Sequence, residues 1–406
     1  MPHSIFAKTN VHSVFPKLEE SPALYATNTI KGFALSLVGI FIPVYIYTLE
    51  NKPIIYSDSH INSVGWVLIY YLITGITLLI SSSELTNSIF GFLTMKNSIF
   101  ISTILQSIML LSLSLADKYF YLIFLAGILT GLESFLYWIP YHTLFIRKSR
   151  NKEKGHFGNT VATRILLGKL ARTIGPIMGG FIISIYSFNL LFFIGILLLS
   201  LSSIPVLVSV DESKHGKHNV WHIFKKYISR KELRKKSVAM AANGIEDIIY
   251  ATMWPILLFV ALKSFSKLGT LVSISIFISS LTVVLVGKFI DKHGVRKVLK
   301  IGLTIDSLLY VFRMFVTTPS LLFAIDITDR INGPLRAIPF LSVYYNIAEQ
   351  EGTTTAELII YRELIKWLSI IIVILLILII LPLLPTWQYI FIVPAIVAPF
   401  MYLIVK

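Results

Sequence analysis

Three carboxylates, Glu133, Glu246 and Asp247, each stand near the middle of an apolar run long enough to cross a bilayer. Charge is costly in hydrocarbon, so an ionisable residue at such depth faces protein or enclosed water and is functional by default. A carboxylate partly withdrawn from water binds a proton more readily, which makes each of the three a candidate proton carrier. The alternative is a salt bridge that latches one conformation, for example Lys31 with Glu246 or Arg336 with Glu133. Lys31, Asp326, Asp329, Arg330 and Arg336 lie in the same set of runs and are candidates for the wall of a polar cavity. Tyr137, Trp138, Tyr141 and Trp254 join them, since their rings can stack on an aromatic or cationic solute or serve only as packing. Asp329 and Arg330 are adjacent and cannot face the same way on a helix.

A second set of charges lies nearer the ends of the runs. Arg164, Lys169 and Arg172 climb one run, and Glu357, Arg362, Glu363 and Lys366 climb another. They are expected either to pair as a gate at an inner mouth or to snorkel to the headgroups. Asp306 and Arg313 are two turns apart on one helical face and read as structural. His142, alone near the end of its run, is either packed or a proton relay. With no second ligand at suitable spacing no metal site is expected. Without a phosphate-cradling Gly-Lys-Ser/Thr loop an ATP-driven pump is not expected, and no cofactor is foreseen.

These residues need a membrane-embedded scaffold, and composition supplies one. Of 406 residues 55% are hydrophobic and 14% charged, with mean hydropathy +0.77, whereas soluble domains carry about 25% charge. The net charge of +15 falls in short segments between apolar runs, as membrane topology requires. Nucleic-acid binding, which needs a basic soluble domain, is therefore not expected. The chain has no cysteine, which excludes disulfides and thiolate chemistry. Residues 1–20 hold no apolar core of signal-peptide length.

Residues 1–22 read as a polar cytoplasmic arm. Six runs of bilayer length follow at about 24–49, 62–83, 97–116, 119–146, 158–184 and 188–210. A hydrophilic linker at 211–236 separates them from six more, at about 237–262, 266–290, 298–317, 320–346, 355–382 and 386–405. The expected fold is all-α, with twelve transmembrane helices in two six-helix bundles, 23–210 and 237–406. One face carries Arg147, Lys148, Arg150, Lys152 and Lys154, nine Lys or Arg between Lys214 and Lys236, and five between Lys288 and Lys300. The opposite loops hold only Lys52, Lys118, Lys263 and Lys267. The positive-inside rule then puts both termini in the cytoplasm. Trp221 to Leu233 has the spacing of a basic amphipathic helix, either lying on anionic lipid or serving as a plain linker.

The two halves repeat. Trp138-Ile-Pro140-Tyr141 corresponds to Ala337-Ile-Pro339-Phe340, Thr163-Arg164 to Tyr361-Arg362, and Asn28-Thr-Ile-Lys31 to Asn243-Gly-Ile-Glu246. Between the eighth and ninth runs stands Gly287-Lys-Phe-Ile-Asp291-Lys292-His-Gly294-Val-Arg296-Lys297. Its glycines are expected in a tight reversal, where φ > 0 is cheap only without a Cβ, and Asp291 is expected to tie two helix ends together as part of a gating loop. This Gly-x-x-x-Asp-Lys-x-Gly-x-Arg-Lys pattern resembles the loop signature of the major facilitator superfamily. The corresponding first-half stretch, Glu84 to Lys96, keeps one glycine and one lysine and lacks the acid.

The resemblance implies a secondary transporter that works by alternating access, with the first, fourth, seventh and tenth spans lining a central cavity. Gly175-Pro176-Ile-Met-Gly179-Gly180 in the fifth run reads as a packing kink and also resembles the motif of drug/proton antiporters of that superfamily. No arginine stands near Gly131 in the fourth run, where those antiporters usually carry one. The leading expectation is proton-coupled efflux of small amphipathic compounds by a plasma-membrane monomer. Its partners would be the substrate, protons and the bilayer. The alternative is uptake of a sugar, organic acid or other nutrient, and a third reading is a non-transporting receptor or scaffold.

Overall fold

The computed structural model describes residues 22–85, 93–150, 169, 172–208, 219–350 and 355–405. Among them every long element is a helix. In order these are α1 (Pro22–Val38), α2 (Phe41–Thr48), α3 (Ser59–Ile80), α4 (Met95–Ala116), α5 (Leu122–Arg150), α6 (Gly175–Ile185) and α7 (Phe188–Val208). There follow α8 (Val220–Ser229), α9 (Lys231–Leu262), α10 (Phe265–His293), α11 (Val295–Phe315), α12 (Pro319–Gln350), α13 (Thr355–Ile380) and α14 (Ile392–Val397). Short polar residues start the helices by accepting from orphan N–H groups. Asp58 does so for α3, Thr94 for α4, Asn219 for α8 and Ser264 for α10. Helix α9 ends at Lys263, whose φ of 49° is left-handed.

Nine stretches among the described residues are long and apolar enough to cross a membrane. Helix α11 (21 residues) and helix α12 (32 residues) are long enough as well, but their charged residues set them apart. The run expected at 386–405 is not one α-helix: 3-10 turns at Trp387–Phe391 and Ala398–Val405 flank the short α14. Helices α1 and α2 bend where Gly39 N–H donates to Leu35 O, at 2.7 Å. Apolar stripes at helical spacing face outward, such as Ile104, Ile108, Leu111 and Leu115 on α4 and Ile274, Phe277, Leu281 and Leu285 on α10. Such exposure suits lipid and would be a liability in water.

Lipid is as apolar as leucine, so small residues and close packing hold membrane helices together. Helix α4 packs on α5 and on α7, α3 lies on α5, and α1 lies on α6 and α7. Helices α9 and α13 pair, as do α10 and α12, and α11 and α12. The early helices meet the late ones mainly along α6 with α10 and α3 with α13. Glycine makes the first seam possible. A Cβ on Gly269 would overlap the Pro176 carbonyl, one on Gly180 would overlap the Phe265 carbonyl, and one on Gly179 would overlap the Leu37 carbonyl of α1. Across the same seam Ile177 N–H donates to Ser273 Oγ at 2.9 Å. In the second seam Gly75 faces Trp367 and Ile371.

The hairpin signature is built differently from the expected reversal. Gly287 lies inside α10, and a Cβ there would meet nothing within 4 Å. The reversal is a single residue, Gly294, with φ +79°. Asp291, Lys292, Arg296 and Lys297 are exposed, and Asp291 makes no hydrogen bond or ion pair with any described residue. Among the described residues the expected tie between helix ends is not formed.

Gly269→Val is expected to destabilise the protein by ~1–3 kcal/mol through overpacking. Gly287→Ala should be neutral, or stabilising by up to ~1 kcal/mol, because alanine favours helix. Thermal unfolding in detergent compares the two, and an equal loss from both would refute the seam assignment.

Candidate functional site

The ion pairs formed by Lys31, Arg313, Arg330 and Arg336 each lie within one half. Lys31 on α1 bonds Glu133 on α5, with Nζ 2.7 Å from Oε1 and side-chain exposures of 2% and 7%. The ammonium also stands 3.5 Å above the Tyr137 ring, whose hydroxyl donates to Asn28 Oδ1 at 3.0 Å. In the other half Arg336 on α12 bonds Glu246 on α9. The pairings foreseen from sequence, Lys31 with Glu246 and Arg336 with Glu133, are not formed. The repeat supplies the reason. Lys31 and Glu246 are equivalent positions, and Tyr137 and Arg336 are equivalent as well, each one turn before its Pro140 or Pro339. The equivalent contact is Lys31 over the Tyr137 ring in the first half and Glu246 with Arg336 in the second, whereas Glu133 corresponds to uncharged Asn332.

Around Arg336 the second half gathers a larger network. Arg336 Nη1 also lies 3.1 Å from Asp306 Oδ2 on α11, and Tyr310 donates to Glu246 Oε1. Arg313 bonds Asp329 at 3.2 Å. Its guanidinium is enclosed by aromatic faces, 4.4 Å from the centroids of Trp254 and Tyr310 and 5.1 Å from Tyr250. Arg330 pairs with Asp326 at 3.6 Å, and Trp254 Nε1–H donates to the same carboxylate at 2.7 Å. Asp329 and Arg330 do turn to different partners, as adjacency on a helix requires. Trp254 was a candidate for stacking a solute, yet at 1% exposure it is committed to Arg313 and Asp326. Close approach of α11 to α12 depends on Gly302, where a Cβ would sit 2.9 Å from the Leu335 carbonyl carbon, and Asn332 Nδ2 donates to Gly302 O at 2.9 Å.

Asp247 behaves unlike its neighbours. It is exposed although it stands mid-helix beside fully buried Glu246. Asn243 Nδ2 donates to its Oδ2 at 3.0 Å, and Arg336, Lys366 and Arg362 lie in electrostatic range. An exposed carboxylate at this depth faces enclosed water rather than lipid.

The peripheral candidates separate into several contacts. Glu357 pairs with Lys226 of α8 at 2.7 Å, so it holds the amphipathic helix to the end of α13. Arg362 and Lys366 both bond Glu363, at 3.2 and 3.1 Å. Arg172 packs on Gly32 of α1, with Nε 3.1 Å from a Cβ built there. Lys169 donates to Ser279, whose hydroxyl in turn donates to Arg330 O at 2.6 Å. Arg164 lies outside the described residues. His142 stacks on Trp138 and meets Tyr345 of α12 at 3.0 Å, a bond between the halves that the lone-histidine reading did not foresee. Asp306, read as structural from its spacing with Arg313, belongs to the central network. Two buried charges in an otherwise apolar run were the signal for it.

No protein-family model matches the chain, and no curated protein matches it in sequence. Its fold does match solved structures along almost the whole length. A crystal structure of the nucleoside transporter NupG agrees at TM-score 0.62 with 14% identity, covering 95% of this chain and 99% of that one. A point mutant of NupG agrees at TM-score 0.63 with 14% identity, covering 94% and 98%. The chain therefore has the fold of a membrane transporter.

The Lys31–Glu133 pair gives a direct test of the first-half contact. Removing one partner of a buried ion pair costs about 3–5 kcal/mol, whereas an apolar replacement of both is often neutral. Lys31→Met alone should lower the unfolding temperature strongly, and Lys31→Met with Glu133→Leu should recover most of the loss. Equal destabilisation by the single and double variants would rule out the pairing.

Proposed function

We propose that this chain is a secondary active transporter of the major facilitator type that takes up a polar nutrient by alternating access. Twelve spans in two six-helix bundles, 23–210 and 237–406, would rock about a site between them near mid-membrane, which is the general plan of such parallel repeats. The observation that carries the reading is the full-length agreement in fold with solved nucleoside transporters. It makes nucleosides the first substrate class to test. The termini and the 211–236 linker are assigned to the cytoplasmic side of the plasma membrane by charge, and the functional unit to a monomer.

The geometry supports uptake over efflux. The efflux expectation leaned on Gly175, Pro176, Gly179 and Gly180, and these residues are engaged in packing against α1 and α10. Asp247, in contrast, offers an exposed acceptor on α9, held in place by the buried Asn243 amide. Such a group can hydrogen-bond the hydroxyls of a neutral polar solute.

Counterflow in sealed proteoliposomes tests this, with radiolabelled uridine and adenosine beside sugars, organic acids and lipophilic cations. Saturable nucleoside counterflow is expected. Asp247→Asn should raise its KM about tenfold, equal to ~1.4 kcal/mol. Expulsion of lipophilic cations without counterflow of any nutrient would overturn uptake.

A further inference from the structure

The amphipathic helix α8 does not turn its apolar side to the membrane. An interfacial helix ordinarily sinks that side into the headgroup layer, but here α13 and α9 have taken it. Val220, Ile223 and Tyr227 are buried, the Tyr227 and Tyr361 rings are 5.3 Å apart, and Lys226 pairs with Glu357 at 2.7 Å. Helix α8 also lies against the turn at Ser81–Leu85 that follows α3. It therefore stands where α3 ends and α13 begins. What it leaves outward is a second, different surface. Trp221 is 65% exposed. Its ring lies parallel to that of Phe224 at 5.8 Å, and the Lys225 ammonium stands 5.3 Å from its centroid. Lys225, Arg230, Lys231, Arg234 and Lys235 are exposed as well. Residues 221–236 hold seven Lys or Arg against one acid, Glu232, so this surface attracts an anionic partner.

The first turns of α9 decide which kind. Lys231, Arg234, Lys235 and Val238 follow the spacing i, i+3, i+4, i+7 and so share one face of the helix. All four are exposed, and Val238, the apolar one, is 46% exposed. The face changes from basic to apolar within about one turn, as a helix does where it passes from headgroups into hydrocarbon. An exposed tryptophan belongs at the same depth, because its ring is apolar and its N–H is polar. A soluble acidic partner would match the charge and leave Trp221 and Val238 without an apolar contact.

We propose that the outer face of α8 and the first turns of α9 form a binding surface for anionic lipid. Lys225, Arg230, Lys231, Arg234 and Lys235 hold headgroup phosphates, whose oxygens accept charge-assisted hydrogen bonds from lysine and arginine. Trp221 lies between the headgroups and the acyl chains. Clusters of bases immediately beside a span draw anionic lipid to them, and this cluster is fixed in place by the buried side of the same helix. The proposal goes beyond the transport reading: it needs the chain in a bilayer and makes no use of the substrate.

The experiment is tryptophan quenching in vesicles of phosphatidylcholine with a minority of phosphatidylglycerol. Bromine is carried on the acyl chains of either the phosphatidylglycerol or an equal amount of the phosphatidylcholine. Subtracting the emission of Trp221→Phe from that of the wild type isolates the Trp221 signal. Brominated phosphatidylglycerol should quench that signal at least about twofold more strongly than the same amount of brominated phosphatidylcholine. Combining Lys225→Gln, Lys231→Gln and Lys235→Gln should make the two equal while the unfolding temperature holds, since all three side chains are exposed. Equal quenching by the two lipids in the wild type would overturn the proposal. A Trp221 signal that neither lipid quenches would overturn it as well, and would point to a soluble acidic partner.

Discussion

A charge inside a bilayer-spanning protein has to be answered nearby, and the architecture follows from how each one is answered. Lys31, Glu133, Glu246, Asp306, Arg313 and Asp329 are all buried, so each fixes the rotation of its helix about its own axis. Lys31 sets α1 against α5, and Arg336 sets α12 against both α9 and α11. Apolar contacts alone would specify these rotations poorly, because leucine faces lipid and protein almost equally well. The ion pairs therefore serve orientation more than net stability, in keeping with the small net worth of buried pairs compared with apolar replacements. In the second half the aromatic enclosure of Arg313 extends the same principle, with ring faces standing where further acceptors would be needed.

Where charges are absent, backbone meets backbone. The seam of α6 with α10 is made by Pro176, Gly180, Phe265 and Gly269, with almost no side chain interposed. Ser273 crosses it, accepting from Ile177 N–H at 2.9 Å. The contact between α5 and α12 is different in kind: His142 reaches Tyr345 by one hydrogen bond. The halves are thus joined by close backbone contact and by hydrogen bonds that cross between them, Ile177 N–H to Ser273 Oγ, Lys169 to Ser279 and His142 with Tyr345.

Much of this organisation was legible in the residues. The positions of the intramembrane charges and the repeat relating Lys31 to Glu246 were readable, because burial makes charge rare and a rare residue is informative. The pairing was not readable, since equivalent positions in two halves permit both within-half and between-half partners. The role of Asp306 was missed because its place two turns from Arg313 on one helical face was read as structural, while the three-dimensional packing gives the two residues separate partners on α12. The hairpin signature identified the right place and the wrong geometry. Gly287 is helical and Gly294 alone makes the turn, a distinction that depends on where α10 stops. The exposure of Asp247 beside buried Glu246 could not be read either, because helix rotation decides which of two neighbours faces water.

Helices α11 and α12 carry a consequence for how the protein is made. Asp306 and Arg313 on one, and Asp326, Asp329, Arg330 and Arg336 on the other, make each a poor candidate to partition into lipid alone during synthesis. Joined by the short segment from Phe315 to Pro319, they can satisfy Arg313 with Asp329 and Arg336 with Asp306 before either meets hydrocarbon. The pair is then far less polar than the sum of its members. Biogenesis of the second half thus favours insertion of this hairpin as one unit, and the ion pairs of the mature protein double as its passport into the membrane.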